Sequence, residues 1–394
     1  MELYALTPVE EISRRISKIQ SMIVAHGIDA ILVTDNTNIY YTLGRVISGW
    51  VYIPAKGNPI YFVRRPEGLK GDNVCYIHKP ELIPAELSSR GYTLPGTLGL
   101  ELAVTSYLTI ERLKAVFPEC AIADASKIMR EARAVKTNLE LKMLRQSGIK
   151  HARVYSRIPH IFRPGMTDIE LQIEIERISR LEGCLGQFRI SGDSMELFMA
   201  NVLAGDNADN PTPPYDFAMG GAGLDPSLPV GADGSIIKPG MSVMVDANGN
   251  FTGYMTDMTR VFSYGNISEE ATRAHRCSID ICRELEKMGR PGTKASDMYE
   301  KAIETVKAAG LERHFMGYTQ KAGFIGHGVG IEINELPVIA PRSRDILQEN
   351  NVLALEPKFV VPGVGAVGIE NTYIVTSGGL ERITDSPEDI ISLE

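Results

Sequence analysis

A chain of 394 residues with 44 % hydrophobic side chains is long enough for two or three domains and apolar enough to bury a large core. Its formal charge of −8 comes without a basic run or an aromatic and Lys-rich stripe, which argues against a nucleic-acid partner. No stretch approaches the roughly eighteen apolar residues of a membrane span, and the charged start MELYALTPVEEISRRISKIQ lacks the apolar core of a signal peptide, so a cytoplasmic protein is expected.

The pattern EEISRRISKIQSMIVAHG reads as an amphipathic helix closed by Gly27. IDAILVTDNTNIYYTLG follows as a buried strand, a turn and a short helix, and GWVYIPAKGNPIYFV as a hairpin with KGNP at its tip. GTLGLEL is a strand, SYLTIERLKAVFP a helix and CAIADAS a last short strand. Strands alternating with helices predict an α/β domain over residues 1–130.

A second domain is expected over 131–394. It opens on a long helix with Thr137 as N-cap and Glu140 three residues on, carried through KTNLELKMLRQSGIKHARVYSRIPHIF to a stop at Arg163-Pro164-Gly165. DIELQIEIERISRLEG is a second helix. The helix-free stretch from Gly205 to Gly240 is too long for a plain connector, and NADNPTPPYDF beside GGAGLDPSLP is a candidate pocket lining. EEATRAHRCSIDICRELEKMG and ASDMYEKAIETVKAAG are further helices, each ending at Gly.

Two hairpins carry the chemistry. SVMVDANGNFTGYMTDMTRVF reads as two antiparallel strands, and if Asp246 and Asp257 pair across it both carboxylates emerge on one face. In VLALEPKFVVPGVGAVGIENTYIV, Glu356 and Glu370 are equidistant from Gly363 at the centre of the turn. Four carboxylates on facing strands repel unless cations hold them. His327, between the glycines of GHGVG, adds an imidazole, and one nitrogen among four carboxylates suits a pair of Mn, Co, Fe or Zn ions better than a lone structural zinc. Lys358, two residues after Glu356, shares its strand face and can reach the site; Tyr254, between the two Asp residues, is a second catalytic candidate, with Glu335 and Asp225 behind them. Arg260 is expected behind the carboxylates, balancing their charge. His151, His160, His275, His26 and His78 read as structural, whereas a turn could bring His314 to the pocket rim. Cys75, Cys120, Cys184, Cys277 and Cys282 are odd in number and lack metal-ligand spacing, as in a reducing compartment.

Residues from about Ala134 to Thr376 resemble the pita-bread metallopeptidases, the family of Xaa-Pro aminopeptidases, prolidases, methionine aminopeptidases and creatinase. The resemblance rests on VKTNLELKMLRQSG, IIKPGMSVMVDANGNFTGYMTDMTRVF, GFIGHGVGIEINELP, VLALEPKF and GAVGIENTYIVT. It implies an α+β pita-bread catalytic domain behind the α/β domain, and a homodimer. It also implies two divalent ions, with Asp246 chelating one, Asp257 and Glu370 bridging both, and His327 and Glu356 completing the second site. The long N-terminal extension resembles the Xaa-Pro aminopeptidase, prolidase and creatinase branch.

Three positions depart from that family. Leu228 or Pro229 stands where members carry a His ahead of the first ligand Asp, Asn334 replaces the second His after His327, and Gly368 replaces an Arg two residues before Glu370. Asn334 can still donate to an oxyanion but cannot shuttle a proton. The expected reaction is hydrolysis of a small peptide or other small amide, removing an N-terminal residue that precedes proline through a metal-bridging hydroxide, with Glu356 as ligand and proton acceptor. A different metal-dependent reaction on the same scaffold, a lyase or amidohydrolase, or a weakly catalytic binding protein, are the alternative readings.

Overall fold

A computed structural model describes residues 7–192, 196–210 and 219–393. The chain divides into two compact units, 1–133 and 134–394.

The first unit comprises α1 (Val9–Ala25), β1 (Ala30–Val33), α2 (Asn36–Leu43), β2 (Ser48–Pro54), β3 (Ile60–Arg65), β4 (Val74–Tyr76), α3 (Ile83–Ser89), β5 (Thr97–Leu100), α4 (Tyr107–Val116), β6 (Ala121–Asp124) and α5 (Ser126–Ala134). Its six strands form one mixed sheet in the order β4-β3-β2-β1-β5-β6. The central strand AILV is buried at every position, as a strand covered on both faces must be, and this apolar run is what made it legible. Helix α5 was not expected. Its sequence SKIMREARA turns Ile128, Met129, Ala132 and Ala134 inward, but over only 9 residues, a run too short to separate it from a connector.

The second unit continues with α6 (Asn138–Tyr155), α7 (Asp168–Leu181), β7 (Ala200–Ala204), β8 (Ser242–Asn248), β9 (Asp257–Ser263), α8 (Glu269–Met288), α9 (Ala295–Ala309), β10 (Gly326–Gly328), β11 (Glu335–Ile339), β12 (Val352–Leu355), β13 (Lys358–Val361), β14 (Gly365–Gly368), β15 (Asn371–Thr376), β16 (Gly379–Arg382) and β17 (Ile391–Ser392). Two sheets, β17-β9-β8-β7 and β11-β10-β12-β15-β16, are accompanied by the pair β13-β14. Thr137 and Glu140 form a reciprocal capping box at the start of α6, as their spacing predicts. The helix ends at Tyr155 rather than running on to Arg163. Pro159 cannot donate within a helix interior, and the chain tightens there into a short 3₁₀ turn, Ile158–His160.

Helix α6 backs the first hairpin. The Tyr155 hydroxyl donates to the Val245 carbonyl at 3.1 Å, and His151 Nδ1 lies 3.0 Å from Thr256 Oγ1, next to Asp257. Leu171, Ile175 and Ile178 of α7 and Val243, Val245 and Met258 of the hairpin close the core beneath. The strand faces that carry the acids are thus anchored from behind, which leaves the opposite side free for a pocket.

Candidate metal centre

A pocket of about 560 Å³ in the second unit has Asp246, Asp257, His327, Glu356, Lys358 and Glu370 on its lining. Asp246 and Asp257 do not face each other. Asp246 opposes Thr259 and Asp257 opposes Asn248, so the two acids sit one step apart on the diagonal, on the same sheet face. The hairpin loop, 249–256, is eight residues long, not a tight turn, and closes by paired bonds between Gly249 and Thr256. The second hairpin keeps the symmetry its sequence shows. Val352 pairs with Ile374 and Lys358 with Gly368, so the β12–β15 and β13–β14 ladders share one register, and Glu356 faces Glu370 in the gap between them. Glu370 also bridges to Thr259, which stitches the two hairpins together at the acids.

Lys358 reaches inward as its strand position predicts, and its ammonium is enclosed. Nζ donates to Asp246 Oδ2 at 2.8 Å and to Glu356 Oε2 and Glu370 Oε2 at 3.0 Å each, while its side chain is 2 % exposed. Three donors meet three carboxylates, so no N–H of the ammonium is left for substrate. Burial by itself would lower its pKa, but Asp246, Glu356 and Glu370 outweigh that and hold it well above the ordinary lysine range.

One ligand atom each of Asp257, His327 and Glu370 lies within 4.8 Å of the others. His327 Nδ1 is 3.1 Å from the Gly328 carbonyl and must carry the proton to bond it, so Nε2 presents a lone pair to Asp257 Oδ2 at 3.8 Å and Glu356 Oε1 at 3.5 Å. Glu370 Oε2 is taken by Thr259 Oγ1 at 2.7 Å and by Lys358, which leaves Oε1 open. Asp257 is 8 % exposed, and its carboxylate receives no hydrogen bond among the described residues. Burial, then Glu370, Asp246 and Glu356, push its pKa well above the ordinary range. Burial also raises that of Asp246, which Lys358 pulls back and Glu370 pushes further. Lone pairs and carboxylate oxygens converging without a donor are what a divalent cation relieves, and an O, N, O set suits one.

The supports of the site are equally specific. Arg260 is fully buried but makes no ion pair with the four acids. Its five N–H groups go to the carbonyls of Pro387, Thr259, Glu370 and Ser386 and to Asn371 Oδ1, at 2.7–3.0 Å, so it clamps the backbone carrying Glu370 instead of balancing the carboxylates. Asn334 lines the pocket with its amide already engaged: Oδ1 accepts from Ser191 N at 2.7 Å and Nδ2 donates to Ser191 O at 2.6 Å. It ties the 188–192 segment over the cavity, whose walls include Phe188, Ile190, Leu197, Phe198, Phe324 and Ile333.

Other expectations fall elsewhere. Tyr254 is buried away from the pocket, its hydroxyl donating to Glu140 Oε1 at 2.9 Å, so the turn residue between the two Asp positions serves the helix cap. Glu335 pairs with buried Lys136 at 2.8 Å and accepts from the backbone of Ile331 and Glu332. Asp225 is exposed and caps its own turn through Ser227. His314 lies outside the pocket, with Nδ1 2.7 Å from the Val360 carbonyl. His275 accepts from Gly368 N at Nδ1 and therefore donates from Nε2 to the Glu388 carbonyl. Leu228 and Pro229 do not line the pocket, and of the proposed Gly205–Gly240 lining only Met219 does so among the described residues, since 211–218 lie outside them. Thr259 and Ser191 were missed. Thr259, two residues after Asp257 on the same strand face, carried a legible signal; Ser191, distant in sequence from Asn334, did not.

Residues 142–377 match metallopeptidase family M24, and residues 15–135 the Creatinase/Prolidase N-terminal domain. The Xaa-Pro dipeptidase of Pyrococcus horikoshii is 23 % identical over 96 % of this chain and 99 % of that protein, and an uncharacterized peptidase of Bacillus subtilis, YqhT, 24 % identical over 96 % and 100 %. The structure of an Xaa-Pro dipeptidase from Bacillus anthracis superposes with a TM-score of 0.79 at 22 % identity, covering 97 % of this chain and 99 % of that one. That of an X-Pro aminopeptidase from Thermotoga maritima gives 0.77 at 20 %, covering 96 % and 99 %. With its acids on two stitched hairpins, its histidine on the neighbouring strand β10, and a creatinase-type domain preceding them in sequence, the chain has the pita-bread fold and belongs to metallopeptidase family M24.

Proposed function

We propose that this chain is a metal-dependent peptidase of Xaa-Pro substrates, acting on a dipeptide or on the N-terminal residue of a short peptide. The observation that carries the reading is the convergence of Asp257, His327 and Glu370 on one point at the polar end of an apolar-walled pocket. A divalent ion held by these three side chains would supply Lewis-acid activation of water and of the scissile carbonyl. Mn, Co, Fe and Zn all suit such donors, and cellular supply chooses among them.

The protein's own groups do the rest. Lys358 fixes Glu356 through Oε2 and leaves Oε1 facing the pocket, so Glu356 Oε1 takes the proton of the attacking water. The proton then passes from Glu356 to the leaving nitrogen. Phe188, Phe198, Phe324 and Ile333 exclude water around the bond and offer an apolar surface to a pyrrolidine ring. The five cysteines are free thiols, which supports placing the activity in a reducing cytoplasm; the homodimer rests on the family resemblance.

A second reading has its own support. Among the described residues, the pocket lining holds no arginine and no histidine beyond His327, and Lys358 is fully engaged, so these side chains offer a free substrate carboxylate no cationic partner beside the metal position. A neutral amide would suit this lining. Protein reconstituted with Mn or Co, run on X-Pro dipeptides, X-Pro-Y tripeptides and X-Pro amides beside Asp257→Ala, decides. Cleavage before proline by the parent alone establishes the peptidase, turnover of amides alone moves the reading to an amidohydrolase, and silence throughout overturns both.

A further inference from the structure

We propose that Lys358 is a resident cation of this centre, and that the cluster therefore takes one divalent ion, at Asp257, His327 and Glu370, and not two. The proposal rests on the metal-dependent reading above. Four carboxylates converge here, and they form two distinct positions for positive charge. One is enclosed by Asp246, Glu356 and Glu370, and the Lys358 ammonium fills it with all three of its N–H groups. The other lies among Asp257, His327 and Glu370, where no hydrogen-bond donor points at the Asp257 carboxylate among the described residues.

Glu370 belongs to both, and its two oxygens divide the work. Oε2 serves Lys358 and Thr259, and Oε1 is left for the second position. Asp246 belongs to the lysine's position, across the sheet diagonal from Asp257. A second dication near Asp246 would have to share its ligands with an ammonium 2.8 Å from Asp246 Oδ2, and like charges that close repel. Nor can the lysine swing aside cheaply. It is 2 % exposed and issues from β13, where its backbone is paired to Gly368. At Gly368 φ is +131° and a Cβ would lie 2.8 Å from the Pro357 carbonyl and 2.9 Å from Lys358 Cα, so the paired strand packs tightly against the lysine's backbone.

Four carboxylates facing one ammonium keep an excess of negative charge that a single divalent ion largely cancels. Asp246 is accordingly a partner of the lysine, and not a ligand.

The test is ion stoichiometry, measured by elemental analysis of the full chain loaded with manganese and dialysed, with manganese EPR as a second readout. The parent is expected to hold one ion per chain with the spectrum of an isolated ion, and Lys358→Ala to hold two with a spin-coupled spectrum. Should Lys358→Ala fail to fold, two further variants decide: Asp246→Asn is expected to weaken manganese binding by about tenfold, as for a neighbour of the ligands, and Asp257→Asn by more than about a hundredfold. Two ions in the parent, or equal losses in the two Asp variants, would overturn the one-ion centre and leave the metal-dependent reading standing. No ion in the parent would overturn both.

Discussion

His327 Nε2 stands 3.8 Å from Asp257 Oδ2, with its lone pair and not its proton on that side, because Nδ1 must donate to the Gly328 carbonyl. Two acceptors pointed at one another in a buried site are a destabilising arrangement that a shared cation reverses. His327→Ala is therefore expected to lose manganese and to drop kcat/KM on an X-Pro substrate by more than about a hundredfold, while the folded protein becomes no less stable in the absence of metal. Titration calorimetry and urea unfolding with and without manganese check both halves. A variant that still binds manganese as the parent does removes His327 from the ligand set.

Asn334 replaces a residue expected to act on substrate, yet its amide is spent on Ser191. Asn334→Ala leaves the Ser191 N–H and carbonyl without their partner at about 1 kcal/mol each, so the segment over the pocket loosens. Steady-state kinetics should show KM rising by roughly fivefold to thirtyfold with kcat within about threefold. A fall in kcat of about a hundredfold with KM unchanged would instead mark an oxyanion donor.

Tyr254 is expected to matter for stability alone. Removing its hydroxyl leaves the α6 cap residue Glu140 short of one donor, so Tyr254→Phe should cost about 1 kcal/mol in urea unfolding and leave kcat/KM within about twofold. A large activity loss at unchanged stability would return Tyr254 to the chemistry.

Gly368 permits what an Arg at this position could not. Its φ of +131° is glycine territory, and a Cβ would lie 2.8 Å from the Pro357 carbonyl and 2.9 Å from Lys358 Cα. Gly368→Ala should destabilise by about 1–3 kcal/mol and, by displacing Lys358 from Asp246, Glu356 and Glu370, open the second position to manganese. Thermal unfolding and manganese titration of the one variant test the two effects together.

His151 supplies a pH signature. It is buried with Nε2 unpaired, and burial, then the Arg260 guanidinium, lowers its pKa from 6.5 to about 3. Because the unfolded chain protonates it first, stability is full above the unfolded value and is lost as pH falls from about 6.5 toward about 3. Near pH 4.5 the loss is on the order of 3 kcal/mol. His151→Asn keeps a hydrogen-bonding group for Thr256 and should flatten that limb of the stability profile. An unchanged profile would assign the acid sensitivity to other groups.

The carboxylates, the His and the two hairpins were legible because each sits in a local pattern: an alternating strand, a Gly-flanked turn, a symmetric spacing about Gly363. The reach of Lys358 followed from the same alternation. What could not be read was register and long-range pairing. Whether Asp246 meets Asp257 squarely or on the diagonal depends on where an eight-residue loop closes, which Gly249 and Thr256 decide through backbone bonds that no side chain announces. The tie between Asn334 and Ser191 spans 143 residues, and Arg260 looked like a charge-balancing group because its real acceptors are carbonyls, which every sequence has in abundance.

Arg260 also carries a practical consequence for the far end of the chain. Two of its five N–H groups end on the carbonyls of Ser386 and Pro387, and Glu388 accepts from Asn371 next door to Glu370. Shortening the protein after Asp385 would strip a fully buried guanidinium of those acceptors, and the disturbance would be felt at Glu370 before any surface property changed. The tail is best regarded as the outermost brace of the active centre, so affinity tags and fusions belong at the opposite terminus.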